Sequence, residues 1–262
     1  MIRDIVDKAQ HKKAMDLYNQ IKAHYCENSD AVEIIDTNQL QAIVASEYNC
    51  KDLTNLIENV KEVFDSPNVE IIKDGDSTTL AKTKCGDIDI IVKRYNLNKT
   101  KKYISRQFGI TRAMNSWLKA HLLGQLGFNS PTPIAMVQRK KIGLINLECF
   151  FIYKMEPGDI ANNFFDEKYS SITKFNLVTK LSNIVKKLHK FGITHGDMKF
   201  QNFLISKRGI EIIDLDSMTL HGSLSLLHNH AIKKDRSRFL EDIESNSEYL
   251  DFAQEMLGLA KQ

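Results

Sequence analysis

Four polar side chains between positions 197 and 214 have the types and spacing needed for phosphoryl transfer to a hydroxyl group. They lie in His195-Gly196-Asp197-Met198-Lys199-Phe200-Gln201-Asn202 and in Asp214-Leu215-Asp216. This chemistry requires a carboxylate beside the attacking hydroxyl, a cation on the phosphates and oxygen ligands for Mg²⁺. Asp197 is the candidate to accept or orient the hydroxyl proton, and Lys199 to neutralise the γ-phosphate. Asn202 and Asp214 are the candidate Mg²⁺ ligands.

The elements around these residues are those that would hold them in place. Apolar residues spaced three and four apart predict a helix over 172–191, and Gly192 is a typical helix stop. Short apolar runs predict strands over 203–205 and 210–213, the second ending just before Asp214. The candidate loop therefore lies between a helix and a pair of strands.

The preceding part of the chain has the pattern of a small antiparallel sheet. Three short runs separated by Gly-containing turns predict a meander over 69–72, 78–83 and 88–93. The other predicted elements are a helix over 100–126, strands near 134–139 and 145–154, and helices after Asp214.

The first 65 residues follow a different pattern and are predicted to be a helical extension. The apolar positions on which this prediction rests recur at three- and four-residue intervals. They are Ile5, Ala9, Leu17, Ile21, Leu53, Leu56, Ile57, Val60 and Val63.

Composition indicates more about the cellular location of the protein than about its activity. The chain has 262 residues, 26% of them charged, and a net charge of +3, as in an ordinary globular protein. Its four cysteines form no Cys-x-x-Cys pair, which favours a reduced, cytoplasmic location. No apolar run approaches the roughly 18 to 20 residues of a membrane span, so any membrane contact is expected to be peripheral.

Together these segments resemble the bacterial lipopolysaccharide kinases that phosphorylate Kdo or heptose sugars, within the protein-kinase-like superfamily. The resemblance runs from about residue 63 to 239 and rests on 72–78, 92–96, Ser116-Trp117, Gly127, Pro131-Thr132-Pro133, 195–199 and 213–216. It implies an α+β, two-lobed fold with a small antiparallel sheet in the N-lobe and a reduced helical C-lobe. The expected domains are an extension at 1–65, an N-lobe at 66–155 and a C-lobe at 156–262.

The resemblance also implies how ATP and Mg²⁺ would be bound. Lys93, at the end of the third meander strand, would hold the α- and β-phosphates. The turn from Gly75 would cover the phosphates, with backbone N–H groups and the Ser77 and Thr78 hydroxyls as donors.

Adenine would be bound at a hinge formed by residues 153–158. The main-chain groups near Met155 and Glu156 are the expected contacts.

The sequence departs from peptide-phosphorylating kinases at three points, and the missing peptide-docking element favours a small-molecule or glycolipid hydroxyl over a protein one. Gly196 replaces the arginine that pairs with a phosphorylated activation loop. No proline follows Asp214, so the Ala-Pro-Glu element is missing. No Asp or Glu lies between Arg94 and Leu147, so the helix there cannot supply the usual glutamate partner of Lys93.

The same acid-free span is strongly basic. It contains Arg94, Lys99, Lys101, Lys102, Arg106, Arg112, Lys119, Arg139, Lys140 and Lys141. Each basic residue at an anionic membrane surface contributes roughly 1 kcal/mol, so an anionic glycolipid at the inner membrane is the expected partner. A solvated face balanced by acids from other segments is the alternative. Nucleic acid is not expected, because aromatic residues are not interleaved in a stacking platform.

Two other functions remain open from the sequence. One is a compact atypical serine/threonine kinase related to the RIO families, although these commonly have Ser or Thr at the position of Lys199. The other is a catalytically silent kinase-like binding module. The leading prediction is an ATP- and Mg²⁺-dependent kinase of a Kdo or heptose hydroxyl in the lipopolysaccharide inner core.

Overall fold

The chain divides into two compact units. The computed structural model describes residues 2–67, 69–96, 110–140, 148–222, 226–243 and 247–259. One part, here called the helical unit, comprises Met1–Tyr18, Leu122–Ser130 and Pro157–Gln262. The other, here called the sheet unit, comprises Asn19–His121 and Pro131–Glu156.

Helices and strands are numbered in chain order. Within the described ranges, helices α1 to α6 span Ile2–Tyr25, Lys51–Glu58, Arg112–Gln125, Ser171–Lys190, Leu226–Glu241 and Ser247–Met256. Strands β1 to β7 span Val32–Asp36, Leu40–Ala45, Glu70–Asp74, Thr78–Cys85, Ile88–Tyr95, Pro133–Arg139 and Cys149–Lys154. Strands β8 to β12 span Gly158–Ile160, Ile193–Thr194, Phe203–Ser206, Gly209–Ile212 and Thr219–Leu220.

The sheet unit is built on a seven-stranded antiparallel sheet with the order β1-β2-β6-β7-β5-β4-β3. The predicted meander is confirmed as β3, β4 and β5. Helix α2 covers one face, where Leu53 and Ile57 pack with Ile90 and Val92 of β5, all fully buried. Alternate residues of β5 therefore reach the opposite face, and Lys93 is among them.

The helical unit carries two smaller sheets. Strands β11, β10 and β8 form one, in that order, and β12 pairs with β9 in the other. The predicted strands over 203–205 and 210–213 are confirmed as β10 and β11, and the predicted helix over 172–191 as α4. The helix predicted over 100–126 is confirmed in part as α3, while 100–109 lies outside the described residues. The strand predicted near 145–154 is confirmed in part as β7, while 145–147 lies outside the described residues.

The prediction that residues 1 to 65 are helical throughout is wrong for residues 32–45. This stretch forms the hairpin β1–β2, and β2 hydrogen-bonds to β6 from Leu40 to Val44. The segment is rich in Ile and Val, which favour a pleated, half-buried surface. All of the apolar positions that indicated helix lie before residue 22 or after residue 52. The division of the chain at residues 65 and 155 stays a prediction.

An aromatic cluster joins the end of α1 to α3 within the sheet unit. Trp117 is fully buried, and its Nε1–H donates to the carbonyl of Tyr25 at 3.0 Å. The Tyr25 ring stacks on His121 with centroids 3.8 Å apart. Burial, helped by nearby His24, lowers the pKa of His121 to about 4. At neutral pH this imidazole is therefore an uncharged packing element.

We predict that Trp117→Phe destabilises the fold measurably. The smaller ring leaves a cavity and removes the donor to the Tyr25 carbonyl, so the free energy of unfolding should fall by about 2 kcal/mol. Urea unfolding followed by circular dichroism measures the change. Leu226→Ala, at a side chain that is 86% exposed, is the control and should change stability by less than about 0.5 kcal/mol. Equal stabilities of the two variants would contradict the role of this cluster.

Candidate active site

The segment that leads to Asp197 is short and closely held at both ends. Helix α4 ends at Lys190, and Gly192 follows with φ of +73°, a left-handed conformation that glycine adopts without strain. Strand β9 then pairs with β12. Only two residues separate the end of β9 from Asp197, which leaves this carboxylate little freedom of position.

The buried carboxylate of Asp235 on α5 holds the start of the loop. Its Oδ2 accepts the backbone N–H of His195 at 2.7 Å, and its Oδ1 accepts that of Gly196 at 2.8 Å. His189 Nε2 of α4 approaches Oδ2 at 3.4 Å. Burial acts to raise the pKa of Asp235, but the hydrogen bonds from His189 and the two amides outweigh it and lower the pKa. The side chain is therefore a carboxylate at neutral pH.

The His189 ring next to it is neutral. Burial lowers the pKa of His189, and the opposing effect of Asp235 does not restore it. Both side chains are almost completely inaccessible to solvent. The contact is thus between a carboxylate and an uncharged imidazole, and α4, α5 and the loop meet there.

Gly196 occupies a position that no other residue fits well. Its φ is +87°, and a Cβ atom there would lie 2.9 Å from the carbonyl oxygen of Ser217. The sequence shows glycine where peptide-phosphorylating kinases have arginine. In this structure a side chain at 196 would collide with the backbone after β11.

Asp197 lies between two cations. Its Oδ2 is 3.3 Å from Lys199 Nζ, and its Oδ1 is 3.4 Å from Arg238 Nε on α5. The Asp197 side chain is 40% exposed. This carboxylate is accessible to solvent, as a catalytic acid–base group would have to be, and positive charge lies on both of its sides.

Asn202 is fixed by three hydrogen bonds. Its Nδ2 donates to the Asp197 carbonyl at 2.7 Å, and its backbone N–H donates to the Lys199 carbonyl at 2.9 Å. The Asn202 carbonyl accepts the N–H of Ile213 at 2.9 Å. The last of these joins the loop to the end of β11. Asn202 therefore lies next to Ile213, the residue that precedes Asp214.

Asp214 has a strained backbone. Its φ of 63° and ψ of 55° are left-handed, and it is the one non-glycine residue in the described part of the chain with positive φ. Such a conformation costs about 1–3 kcal/mol and persists only where the surroundings enforce it, typically at functional sites. Carboxylate and amide oxygens are the donors that Mg²⁺ prefers, so Asp214 and Asn202 fit this metal by ligand type.

The remaining candidate residues lie in the sheet unit, where Lys93 is largely buried on β5. It is 6% exposed, and its Nζ is 5.1 Å from the centre of the Tyr95 ring. The Tyr95 hydroxyl is 2.7 Å from Ser116 Oγ on α3. Helix α3 contains no carboxylate, so it supplies no glutamate partner for Lys93.

The turn after β3 is ordered by hydrogen bonds that its carbonyl groups accept. The Gly75 N–H donates to the Thr78 carbonyl at 3.0 Å, and Arg112 Nη1 donates to the Ser77 carbonyl at 2.9 Å. Asn96 Nδ2 donates to the Gly75 carbonyl at 2.7 Å. The Ser77 side chain is exposed, whereas Thr78 is buried. Of the two hydroxyls predicted to meet phosphates, Ser77 is therefore the accessible one.

At the predicted adenine site, one backbone donor is already engaged. The N–H of Met155 donates to the carbonyl of Asp89 at 2.9 Å. The Glu156 carboxylate lies 4.0 Å from Lys154 Nζ. Adenine recognition at Met155 would therefore use its carbonyl group.

The structure brings Asp197, Lys199, Asn202 and Asp214 together in the helical unit, and it places the other candidates in the sheet unit. Sequence reasoning missed Asp235 and Arg238. Both lie on α5, about forty residues beyond the loop, in a sequence with no motif to mark them. A solitary Asp among basic residues of a helix is a weak signal at best.

The basic span does not form a single exposed patch in its described part. Lys119 is 3% exposed, and burial lowers its pKa to about 8, assisted by Lys22. Lys140 pairs with Asp36 at 2.6 Å, and the Arg94 guanidinium stacks on the Phe64 ring at 4.3 Å. Five of the ten basic residues lie outside the described ranges: Lys99, Lys101, Lys102, Arg106 and Lys141.

These features define a protein-kinase-like enzyme: an antiparallel sheet with a buried strand lysine, and a loop bearing Asp, Lys and Asn before a final Asp. The model of the "Lipopolysaccharide kinase (Kdo/WaaP) family" matches residues 56–246, most of the chain. The chain belongs to this family and is a kinase, an enzyme that uses ATP as phosphoryl donor.

A solved structure supports the fold assignment. "WaaP in complex with acyl carrier protein" is similar with a TM-score of 0.51 and 14% sequence identity, over 78% of this chain and 92% of the matched chain. At that identity the similarity shows the fold, and it confirms the predicted α+β kinase-like class. None of the curated proteins compared with the chain is significantly similar in sequence.

We predict that Asp235→Asn lowers the free energy of unfolding by about 3 kcal/mol at pH 7, because a buried carboxylate with three donors is lost. The folded-state pKa of Asp235 lies below its ordinary value of 3.8. Its contribution is therefore complete above pH 3.8 and is lost as the pH falls through the folded pKa. Urea unfolding of both proteins over a pH series measures the difference.

The control for this comparison is Asp251→Asn, at an exposed position of α6. It should behave like the unmodified protein throughout. A gap between Asp235→Asn and the unmodified protein that widens on acidification would contradict the assignment.

Proposed function

We propose that this kinase phosphorylates a sugar hydroxyl of the lipopolysaccharide inner core, on Kdo or heptose, with ATP and Mg²⁺. The observation that carries the proposal is the accessible Asp197 carboxylate held between Lys199 and Arg238. The carboxylate can accept the proton of the attacking hydroxyl, and the two cations can bind a sugar substrate that is itself anionic. Membership of the lipopolysaccharide kinase family supports the same class of substrate.

In the proposed reaction, Asp197 orients the acceptor hydroxyl and takes its proton as the hydroxyl oxygen bonds to the γ-phosphorus of ATP. The bond from that phosphorus to the β–γ bridging oxygen breaks in the same transfer, and ADP leaves. Lys199 neutralises charge on the transferred phosphoryl group. Asn202 and Asp214 would hold Mg²⁺, which supplies charge neutralisation on the phosphates. Because the Asn202 amide nitrogen is bound to the Asp197 carbonyl, its Oδ1 faces the other way and is the atom available to a metal.

Arg238 is the part of this arrangement that favours an anionic acceptor over a neutral one. It contacts Asp197 on one side and forms an ion pair with Glu241 on the other. About a third of its side chain is exposed. A carboxylate or phosphate on the sugar can bind this guanidinium in a bidentate manner while the hydroxyl lies at Asp197.

In the sheet unit, Lys93 would hold the α- and β-phosphates, and the turn from Gly75 to Thr78 would cover them, chiefly through Ser77. Met155 and Glu156 would contact adenine.

The proposal includes peripheral contact with the cytoplasmic face of the inner membrane, because the acceptor is built on lipid A. Among the described residues, no helix has both the length and the apolar character needed to cross a bilayer.

We predict that Asp197→Asn reduces turnover by about 10²–10⁴-fold, the usual contribution of a general base. ATP binding should be nearly unchanged, because Asp197 is proposed to contact the acceptor. Release of ADP in the presence of core glycolipid measures turnover, and titration calorimetry measures ATP affinity. Full activity of this variant on the glycolipid would refute the assignment.

Asp214→Ala is the matched comparison. It should weaken ATP binding when Mg²⁺ is present and have little effect when EDTA is added, because its proposed role is to bind the metal. If the unmodified protein binds no Mg²⁺-ATP, the nucleotide part of the proposal fails.

The acceptor is tested by mass spectrometry of core glycolipid from cells with and without the gene. We expect one phosphate to be missing from the inner core in the deletion strain and restored by the unmodified gene, but not by the Asp197→Asn form. An unchanged phosphate content would exclude the inner-core sugar as the acceptor.

A further inference from the structure

A cavity lies in the helical unit, bounded by α1, α4 and α5. Its volume is about 410 Å³. Residues of all three helices line it, together with one residue after α6. They are Asp7, Lys8, Lys186, His189, Lys190, His228, Asn229, Ile232, Arg236 and Leu257.

The lining is strongly basic. Lys8, Lys186, Lys190 and Arg236 face the cavity from three helices, and Asp7 is the single carboxylate among the lining residues. Lys186 and Lys190 are four residues apart on α4, where like charges repel and destabilise a helix. Such an arrangement is unfavourable for the empty protein and favourable once an anion is bound.

A buried polar side chain without a partner also lines the cavity. His228 is 4% exposed, and within the described part of the chain neither of its ring nitrogens has a hydrogen-bond partner. The same is true of His189 Nδ1. Buried polar atoms are normally satisfied, so each of these requires an explanation. A bound oxyanion would supply an acceptor for the N–H group of the His228 ring.

We propose that this cavity binds a phosphate-class anion, at a site separate from Asp197. The four cations outweigh the one carboxylate of the lining and so favour a phosphate monoester or diphosphate, and His228 and Asn229 add hydrogen-bond donors. His189 also contacts Asp235, which holds the loop before Asp197. The bound anion would therefore lie next to the network that positions the catalytic loop.

The test is titration calorimetry with inorganic pyrophosphate in EDTA. For Lys186→Ala combined with Lys190→Ala, we expect binding to weaken about tenfold or more, since two charge-assisted contacts are lost. The matched control is Lys233→Ala with Lys234→Ala, which removes the same charge from exposed positions of α5 outside the cavity. It should bind pyrophosphate within about twofold of the unmodified protein.

A variant expected to raise pyrophosphate affinity excludes misfolding as the cause of the weaker binding. Asp7→Asn removes the one carboxylate of the lining and should tighten pyrophosphate binding by about threefold or more. An unfolded protein cannot show this gain. Tightening by Asp7→Asn together with weakening by the double variant would establish the site.

Equal affinity in the unmodified protein and the Lys186/Lys190 variant would overturn the proposal. Loss of binding in Lys199→Ala instead would assign pyrophosphate to the active site and likewise overturn it. Neither result depends on whether the protein phosphorylates a sugar, because these titrations contain no acceptor and no Mg²⁺-ATP.

Vesicles identify the source of the phosphate group. Co-sedimentation with phosphatidylcholine vesicles that contain phosphatidic acid, reversed by pyrophosphate and lost in the Lys186/Lys190 variant, would assign the cavity to a lipid headgroup. Pyrophosphate binding without co-sedimentation would assign it to a soluble phosphate compound.

Discussion

The carboxylate of Asp235 is the constraint on which the proposed catalytic loop depends. It is buried, negatively charged and satisfied by two backbone amides and one imidazole. A buried charge is strongly unfavourable unless donors surround it, so the fold is stable only when α4, α5 and residues 195–196 are all in place. The position of Asp197 is thus determined by a side chain about forty residues away.

Two left-handed backbone conformations also help to fix the position of the loop. Gly196 and Asp214 are both left-handed, one without strain and the other with it. Between them, the hydrogen bond from Ile213 to Asn202 joins the end of β11 to the loop. The proposed proton acceptor and the proposed metal ligands are consequently carried by backbone segments that cannot move independently of one another.

The sequence singles out those residues of the proposed site that are neighbours in the chain, and it misses those that are distant from them. Asp197, Lys199 and Asn202 share one loop, and the apolar run before Asp214 indicates its strand. Asp235 and Arg238 could not be predicted, because their role depends on how α5 packs against the loop. The hairpin β1–β2 was missed for a related reason: helical spacing on either side of it was extended across a segment whose strand character comes from pairing with β6.

The hairpin β1–β2 lies outside the part of the chain that matches the family model. The matched region begins at residue 56, yet the sheet begins at Val32, and β2 covers the flank of β6 with backbone hydrogen bonds. An uncovered β6 would present a row of free N–H and C=O groups that invites association with another chain. The recognisable part of this sequence therefore lacks one side of its own sheet. Any related enzyme without an equivalent hairpin must protect that strand by other means, such as charge, a bulge or a partner molecule.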